Sequence, residues 1–245
     1  MEVIIGKNPV REALLFSSRL QEVFLVKEKK KTLREIAFLA ETKKVKLSWL
    51  GKEDFYKKFP YPSTQGVAAF ARPFPYLSLD EFLKKIEGSK RVTLVVLDGV
   101  EDPQNFGSLL RSTECLGGDG VVVRERRSVK VTPTVYKVSA GAAERVSVIR
   151  VKNITRALRD LKTAGFWIYG AEASSGKTVW EVEPGPKLAL VLGSEGRGLS
   201  RLVKEECDEL VSIPLRGRIG SLNVAVAGAI LLYEILRRYE TQNSG

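Results

Sequence analysis

The chain has 245 residues, 44% of them apolar, and carries 40 Lys/Arg against 29 Asp/Glu, a net charge of +11, with no histidine. That length supports one large domain or two smaller ones with proper cores. The missing histidine excludes Ser-His and Cys-His schemes, and two cysteines (Cys115, Cys207) without a CxxC argue against zinc or thiol catalysis.

No apolar run is long enough to span a bilayer, and residues 1–6 lack the basic start and apolar core of a signal peptide, so a cytoplasmic protein is expected. Residues 1–90 hold 18 Lys/Arg against 11 Asp/Glu, and residues 91–245 hold 22 against 18. The surplus is densest in the first third. Such a balance suits a polyanionic partner, most often nucleic acid, and equally suits the solvated Lys/Glu-rich surface of a heat-adapted protein.

Residues 1–72 read as a small α/β module. Strands are expected over 3–5, 23–26, 45–50 and 66–71. Helices are expected over 8–15, with Pro9 in the first turn, and over 32–43, with Leu33, Ile36, Ala37 and Ala40 on one face. Residues 52–62 interleave lysines with Phe55, Tyr56, Phe59 and Tyr61. The pattern suits RNA, where bases stack and Lys meets phosphate, or a helix end with its aromatics in the core. Residues 73–90 contain Pro73, Pro75 and a short amphipathic helix over 79–86, and read as the linker to a domain over 91–245.

From Val92 strands and helices alternate. Strands are expected over 92–97, 120–123, 146–150, 166–171, 188–192 and 209–213. Helices are expected over 106–116, 132–142, 154–164 and 224–236, with a short one after Gly198. This order predicts a parallel α/β sheet with ligands at the strand C-termini.

Three clusters sit at such strand ends. Gly193-Ser194-Glu195-Gly196-Arg197-Gly198 lacks the Lys-Ser/Thr of a P-loop and the spacing of GxGxxG, and Glu195 would repel phosphate. A nucleoside-type ligand with a neutral or positive centre fits it better; the other reading is a plain strand-to-helix turn. The second runs from Asp98 to Gly107, followed by Arg111. Taken alone, Asn105 is explained as a helix N-cap and Arg111 as a surface charge. The third is the basic, glycine-containing loop from Pro214 to Asn223. It precedes a helix too apolar to be exposed on any face, which is expected to be buried, in part by another subunit.

In this order and spacing, three motifs resemble those of the SpoU (TrmH-type) branch of the SPOUT RNA methyltransferases. They are Asp102-Pro103-x-Asn105-x-Gly107-x3-Arg111, then Leu190-Val191-Leu192-Gly193-Ser194-Glu195-Gly196-x-Gly198, and Ile213-Pro214 through Ser221-Leu222-Asn223-Val224-Ala225. Ser139-Ala140-Gly141-Ala142 is similar to the family's intermediate segment. The start, Gly6-x-Asn8-Pro9-Val10-x-Glu12-Ala13-Leu14, with Gln65-Gly66-Val67, resembles the substrate-binding domain of members that methylate a guanosine ribose in large-subunit ribosomal RNA. The family usually has His where this chain has Thr64. The resemblance covers essentially the whole chain.

The resemblance implies an α/β fold: a parallel-sheet SPOUT methyltransferase domain with a C-terminal trefoil knot, plus a small N-terminal L30e-like RNA-binding domain. It implies S-adenosylmethionine bound in the knot, a homodimer, and methylation of a 23S rRNA guanosine without a metal. Gly193, Ile213 and Leu222, with Leu192 and Gly196, fall on its cofactor positions. Asn105, Arg111, Glu195, Ser221 and Asn223 fall on its active-site positions. In the implied chemistry a ribose 2′-hydroxyl attacks the sulfonium methyl. Arg111 is the family's candidate for activating that hydroxyl. A guanidinium with a pKa above ~12 is a poor base, so phosphate binding and hydroxyl polarisation fit it better, with Glu195 and Asn223 orienting Arg111 and the ribose. Other readings are a tRNA guanosine 2′-O-methyltransferase, a resistance-type rRNA adenosine methylase and, in a different class, a non-catalytic RNA-binding assembly factor.

Overall fold

The computed structural model describes residues 1–126 and 128–243. In chain order the elements begin with β1 (Glu2–Ile5), α1 (Lys7–Phe16), β2 (Leu20–Val26), α2 (Arg34–Thr42), β3 (Lys46–Leu50), α3 (Lys52–Lys58) and β4 (Val67–Ala71). They continue with α4 (Leu79–Lys85), β5 (Val92–Asp98), α5 (Pro103–Cys115), β6 (Gly120–Arg124), α6 (Pro133–Val138) and β7 (Ser147–Val151). The last are α7 (Ile154–Thr163), β8 (Trp167–Ala171), β9 (Lys187–Gly193), α8 (Arg201–Glu206), β10 (Glu209–Val211) and α9 (Val224–Asn243). By internal contacts, Met1–Pro75 and Val131–Arg145 make one unit, and Tyr76–Lys130 with Val146–Gly245 make the other.

The first unit holds a mixed sheet in the order β1-β4-β2-β3, with β2 and β3 parallel and the other pairs antiparallel. Phe55 and Phe59 lie one helical turn apart on α3, so both face the sheet, where they are buried against Phe24. The aromatic–lysine stretch therefore divides. Its phenylalanines are core, while Tyr56 and Tyr61 are exposed. Lys58 Nζ lies 4.8 Å from the Phe24 ring centroid and 5.3 Å from that of Phe70, a cation resting on the rim of this aromatic core. Thr64, at the position where the family usually has His, is 2% exposed. Its Oγ1 accepts from the Gly66 N–H at 3.4 Å, inside a turn where Ser63, Gln65 and Gly66 all have positive φ.

Two features depart from the expected division at 72 and 90. First, Val131–Arg145 folds within the first unit. Arg19, only 7% exposed, donates through Nη1 to Glu2 (3.1 Å) and to the Arg72 carbonyl (2.7 Å), and through Nη2 to Glu144 (2.6 Å) and to the Tyr136 hydroxyl. Gly141 has φ +91°, and a Cβ there would lie 2.4 Å from Glu12 Cβ, so the segment closes on α1 only with glycine. This left-handed residue also explains why the helix expected over 132–142 stops at Val138. Second, residues 73–90 are more than a linker. Leu77 bridges in parallel to Ile149, and α4, held by a Ser78/Glu81 capping box, sends Leu79 and Phe82 into the second unit's core.

The second unit is a six-stranded sheet, all parallel, in the order β10-β8-β9-β5-β6-β7. All seven residues of β5 are buried, as the apolar run over 92–97, interrupted only by Thr93, predicts of a strand covered on both faces. α7 turns Ile154, Ala157, Leu158 and Leu161 inward as the spacing predicts. α5 starts three residues earlier than expected. Asp102 is its N-cap, accepting from the Gln104 and Asn105 N–H groups at 3.2 Å each, with Pro103 in the first turn. Asn105 is therefore not the cap, and its side chain is left for other work.

α9 runs to Asn243 rather than stopping near 236. It buries Leu231, Leu232, Ile235 and Tyr239, and a Cβ on Gly228 would lie 2.5 Å from Leu109 Cδ2 and 2.8 Å from Leu192 Cδ1. Val226, Ile230 and Tyr233 are exposed. At spacings of four and three they form one apolar stripe, so within a single chain the helix is not buried on every face.

Candidate active site

Because β8, β9, β10 and β5 are parallel, their C-terminal ends meet on one edge, with Asp98 of β5 in register with Gly193 of β9. The chain leaves β9 in a turn closed from both sides: the Ser194 N–H donates to the Gly198 carbonyl (3.1 Å), and the Gly198 N–H donates to the Ser194 carbonyl (2.9 Å). A Cβ on Gly193 would sit 2.1 Å from the Gly198 carbonyl carbon, and Gly196 and Gly198 have φ of +79° and +67°. All three glycines are thus demanded by the turn that carries Glu195. Asp98, buried at the end of β5, accepts from the Ser200 N–H at 2.8 Å and fixes the far side of the turn.

Asn223 precedes α9 and caps it, its Oδ1 accepting from the N–H groups of Ala225 (2.9 Å) and Val226 (3.3 Å). That fixes the amide's orientation and leaves Nδ2 to donate elsewhere. It donates to Glu195 Oε1 (2.7 Å) and to Asn105 Oδ1 (2.8 Å), while Asn105 Nδ2 donates to Glu195 Oε1 (3.1 Å). Residues from three separated motifs thus form one closed ring of hydrogen bonds, in which Glu195 takes part through Oε1 alone. Among the described residues, Glu195 Oε2 has no hydrogen bond or ion pair.

Beside this ring lies a pocket of about 530 Å³. Leu192, Gly193, Gly196, Ile213 and Leu222, the five residues expected at a cofactor, all line it, as do Glu195, Ser221 and Asn223. Among the described residues, the main chains of Ile213, Leu215 and Leu222 make no hydrogen bond, leaving backbone donors and acceptors free beside an apolar wall.

Two expected site residues fall outside this lining. Asn105 is outside the lining and is hydrogen-bonded to Glu195, which is in it. Arg111 is six residues further along α5, about 9 Å by helical rise, exposed and without a hydrogen bond or ion pair among the described residues. Glu195 and Asn223 therefore do not orient Arg111 within the chain; they hold Asn105 and each other.

Sequence reasoning missed part of the wall: Ala171 and Glu172 after β8, Leu215, and the α9 residues Val224, Ala227 and Leu231. Glu172 had a usable signal, since it directly follows a parallel strand, where ligands collect. Among the described residues no group of three or more His, Cys, Asp or Glu could hold a metal, and no helix is long and apolar enough to cross a membrane.

The fold and site define a parallel α/β protein with a nucleoside-sized pocket across its strand ends and a polar ring beside it. The SpoU rRNA methylase family model matches residues 92–233, and the model for the substrate-binding domain of RNA 2′-O ribose methyltransferases matches residues 3–77. A Staphylococcus aureus protein assigned to the TrmH family of tRNA/rRNA methyltransferases is 41% identical, over 96% of each chain. A TrmH-family structure from Porphyromonas gingivalis is 30% identical with a TM-score of 0.77, covering 97% of this chain and 90% of that one. The SpoU methyltransferase AviRb of Streptomyces viridochromogenes, solved in complex with AdoMet, shares the fold at 24% identity, with a TM-score of 0.81 and 99% and 91% coverage. The chain belongs to the SpoU/TrmH family and is an RNA methyltransferase.

Proposed function

We propose that this protein transfers the methyl group of S-adenosylmethionine to the ribose 2′-hydroxyl of a guanosine in 23S rRNA. The observation that carries the reading is the Asn105–Glu195–Asn223 ring, which spends one carboxylate oxygen on positioning and leaves the other free in the pocket wall. The substrate-binding match over residues 3–77 supports an RNA substrate, and the rRNA methylase family match over residues 92–233 favours rRNA. AdoMet in AviRb supports the cofactor.

The pocket suits that cofactor. Its volume lies within the range of about 300–1,000 Å³ usual for such ligands, and the free main-chain groups of Ile213 and Leu222, with Leu192, Gly193 and Gly196, can take a purine edge between apolar side chains. When bound, S-adenosylmethionine supplies a methyl group already activated on a sulfonium. The chain's own residues then have a positioning task. Glu195 Oε2 accepts the hydrogen of the ribose hydroxyl and points its lone pairs. Asn105 and Asn223 keep that carboxylate from rotating, and Ser221 offers a further hydroxyl partner. Arg111, a fork without partners in the chain, takes an adjacent RNA phosphate.

The exposed stripe of Val226, Ile230 and Tyr233 supports a homodimer built on α9. The C-terminal trefoil knot, residues 1–72 as the RNA-binding part, and a cytoplasmic location belong to the same reading.

The test is methyl transfer from labelled S-adenosylmethionine to unmodified 23S rRNA and, separately, to bulk tRNA, with the product nucleoside identified by mass spectrometry. 2′-O-methylguanosine in 23S rRNA is expected. The same nucleoside in tRNA alone overturns the rRNA assignment, and a base-methylated product overturns the ribose chemistry.

A further inference from the structure

In the first unit, β1, β2 and β3 end on one edge of the sheet, level in register: Ile5 pairs with Ala68, Leu25 with Val67, and Val26 with Leu50. Three segments meet there. Lys27-Glu28-Lys29-Lys30-Lys31 leaves β2, Lys7 opens α1 after β1, and the turn over 63–66 leads into β4. Residues 27–31 are all exposed. Lys27, Lys30 and Lys31 have no acidic partner among the described residues, and Lys30 Nζ lies 5.8 Å from the Trp49 ring centroid. Glu28, the carboxylate of that stretch, is engaged, its Oε1 accepting from the Lys52 N–H at 3.1 Å. The turn beside these lysines is strained: Ser63 and Gln65 have φ of +65° and +55°, which residues other than glycine rarely adopt. It is held from several sides. The Val26 N–H donates to the Gly66 carbonyl (3.1 Å), and Lys29 Nζ donates to the Gln65 carbonyl (3.3 Å). Gln65 Oε1 accepts from the Lys7 N–H at 3.1 Å, which fixes the orientation of the amide. Its Nε2, on an exposed residue, has no hydrogen bond among the described residues.

We infer that this edge is the face by which the first unit grips RNA: Lys27, Lys30 and Lys31 take backbone phosphates, and Gln65 Nε2 donates to an acceptor on a base or ribose beside them. This rests on reading residues 1–72 as the RNA-binding part. Ammonium groups without counter-ions attract a polyanion by displacing its own counterions, and they read no sequence in doing so. The amide adds what the lysines lack, a neutral donor of fixed direction, suited to the acceptors of a base edge or a 2′-hydroxyl. Strained residues overdetermined by their surroundings concentrate at such ligand clamps. The other end of the strands differs. Its lysines are Lys43, Lys44 and Lys46, of which Lys46 is paired with Glu22 at 3.2 Å.

The probe is unmodified 23S rRNA, titrated with the full chain in filter binding across about 50–200 mM salt. Lys27→Gln combined with Lys30→Gln and Lys31→Gln is expected to raise Kd about 10- to 100-fold and to flatten the slope of log Kd against log salt by about 2–3. The control removes as much charge from the opposite edge, by Lys43→Gln with Lys44→Gln and Lys46→Gln. It is expected to stay within about threefold of wild type, with the slope changed by less than about 1. Gln65→Gly suits the positive φ and removes a donor without removing charge. It is expected to raise Kd about 3- to 10-fold at an unchanged slope. Equal losses from the two lysine sets reduce the edge to general basicity and overturn the inference, as does wild-type affinity in the first set or in Gln65→Gly. The expected losses in a protein that transfers no methyl group to 23S rRNA leave the inference standing and overturn the substrate reading. No binding of 23S rRNA by folded wild type overturns both.

Discussion

The two units each contain a polar cluster joining residues far apart in sequence, and the clusters differ in kind. In the first unit Arg19, Glu2, Tyr136, Glu144 and the Arg72 carbonyl are largely buried, opposite in charge and mutually satisfied. In the second, Asn105, Glu195 and Asn223 close on one carboxylate oxygen and leave its twin open to a pocket. The closed cluster locks the segment 131–145 onto its unit and has nothing to offer a ligand. The open one adds little to stability and presents a fixed acceptor. Two clusters of similar polarity are thus told apart by what remains unbonded.

The sharpest break is at Arg19. Arg19→Met strands Glu144 and Glu2 and is expected to cost about 3–5 kcal/mol in urea unfolding, most of it restored in Arg19→Met with Glu144→Met, because an unpaired buried charge costs more than an apolar replacement. The open cluster should respond in the opposite sense. Glu195→Gln places an amide against two amide donors and is expected to slow methyl transfer about 10²–10³-fold, with unfolding free energy within ~0.5 kcal/mol of wild type. Equal losses of stability at both sites would erase the distinction.

Gly228→Val probes the packing beneath the open site. Its side chain would press on Leu109 and Leu192, and a loss of about 1–3 kcal/mol is expected in thermal or urea unfolding. Arg111→Lys keeps the charge and loses the fork. A fall of about tenfold in kcat/KM for RNA is expected with little change in cofactor binding, since Arg111 is outside the pocket lining and has no hydrogen bond or ion pair among the described residues. The smallest effect concerns the two thiols. Burial pushes Cys207 up to about 12, whereas Cys115 is exposed, so iodoacetamide at neutral pH should label Cys115 and spare Cys207 in the folded protein, as peptide mass spectrometry would report.

Much of this architecture was legible in the sequence because it rests on local signals. The apolar run at 92–97, interrupted only by Thr93, has the length and residue types of a strand covered on both faces, and Ile154, Ala157, Leu158 and Leu161 have the period of one helix face. The pocket-lining residues were legible for another reason, as motif positions whose glycines the turn itself demands. What stayed hidden depends on contacts distant in sequence. Asn105 reads as a helix cap until Asp102 takes that place and frees it. The expected coupling of Arg111 to Glu195 is not made among the described residues: Arg111 lies six residues beyond Asn105 on α5, and Glu195 bonds the two asparagines through Oε1. Residues 131–145 sit between two strands of the second unit in sequence, and contacts with residues more than a hundred positions earlier, Arg19 to Glu144 and Glu12 against Gly141, draw them into the first.

The most direct test of the central claim is the single-turnover methyl-transfer rate of Asn105→Ala on 23S rRNA at saturating S-adenosylmethionine. Asn105 stands outside the pocket lining and is hydrogen-bonded to Glu195 and Asn223. A fall of about 100-fold, with cofactor affinity and melting temperature retained, is the result predicted for a ring that positions the acceptor of the ribose hydroxyl. A wild-type rate in the folded variant would contradict it, and would mean that the ring is only a clasp between α5, α9 and the β9 turn.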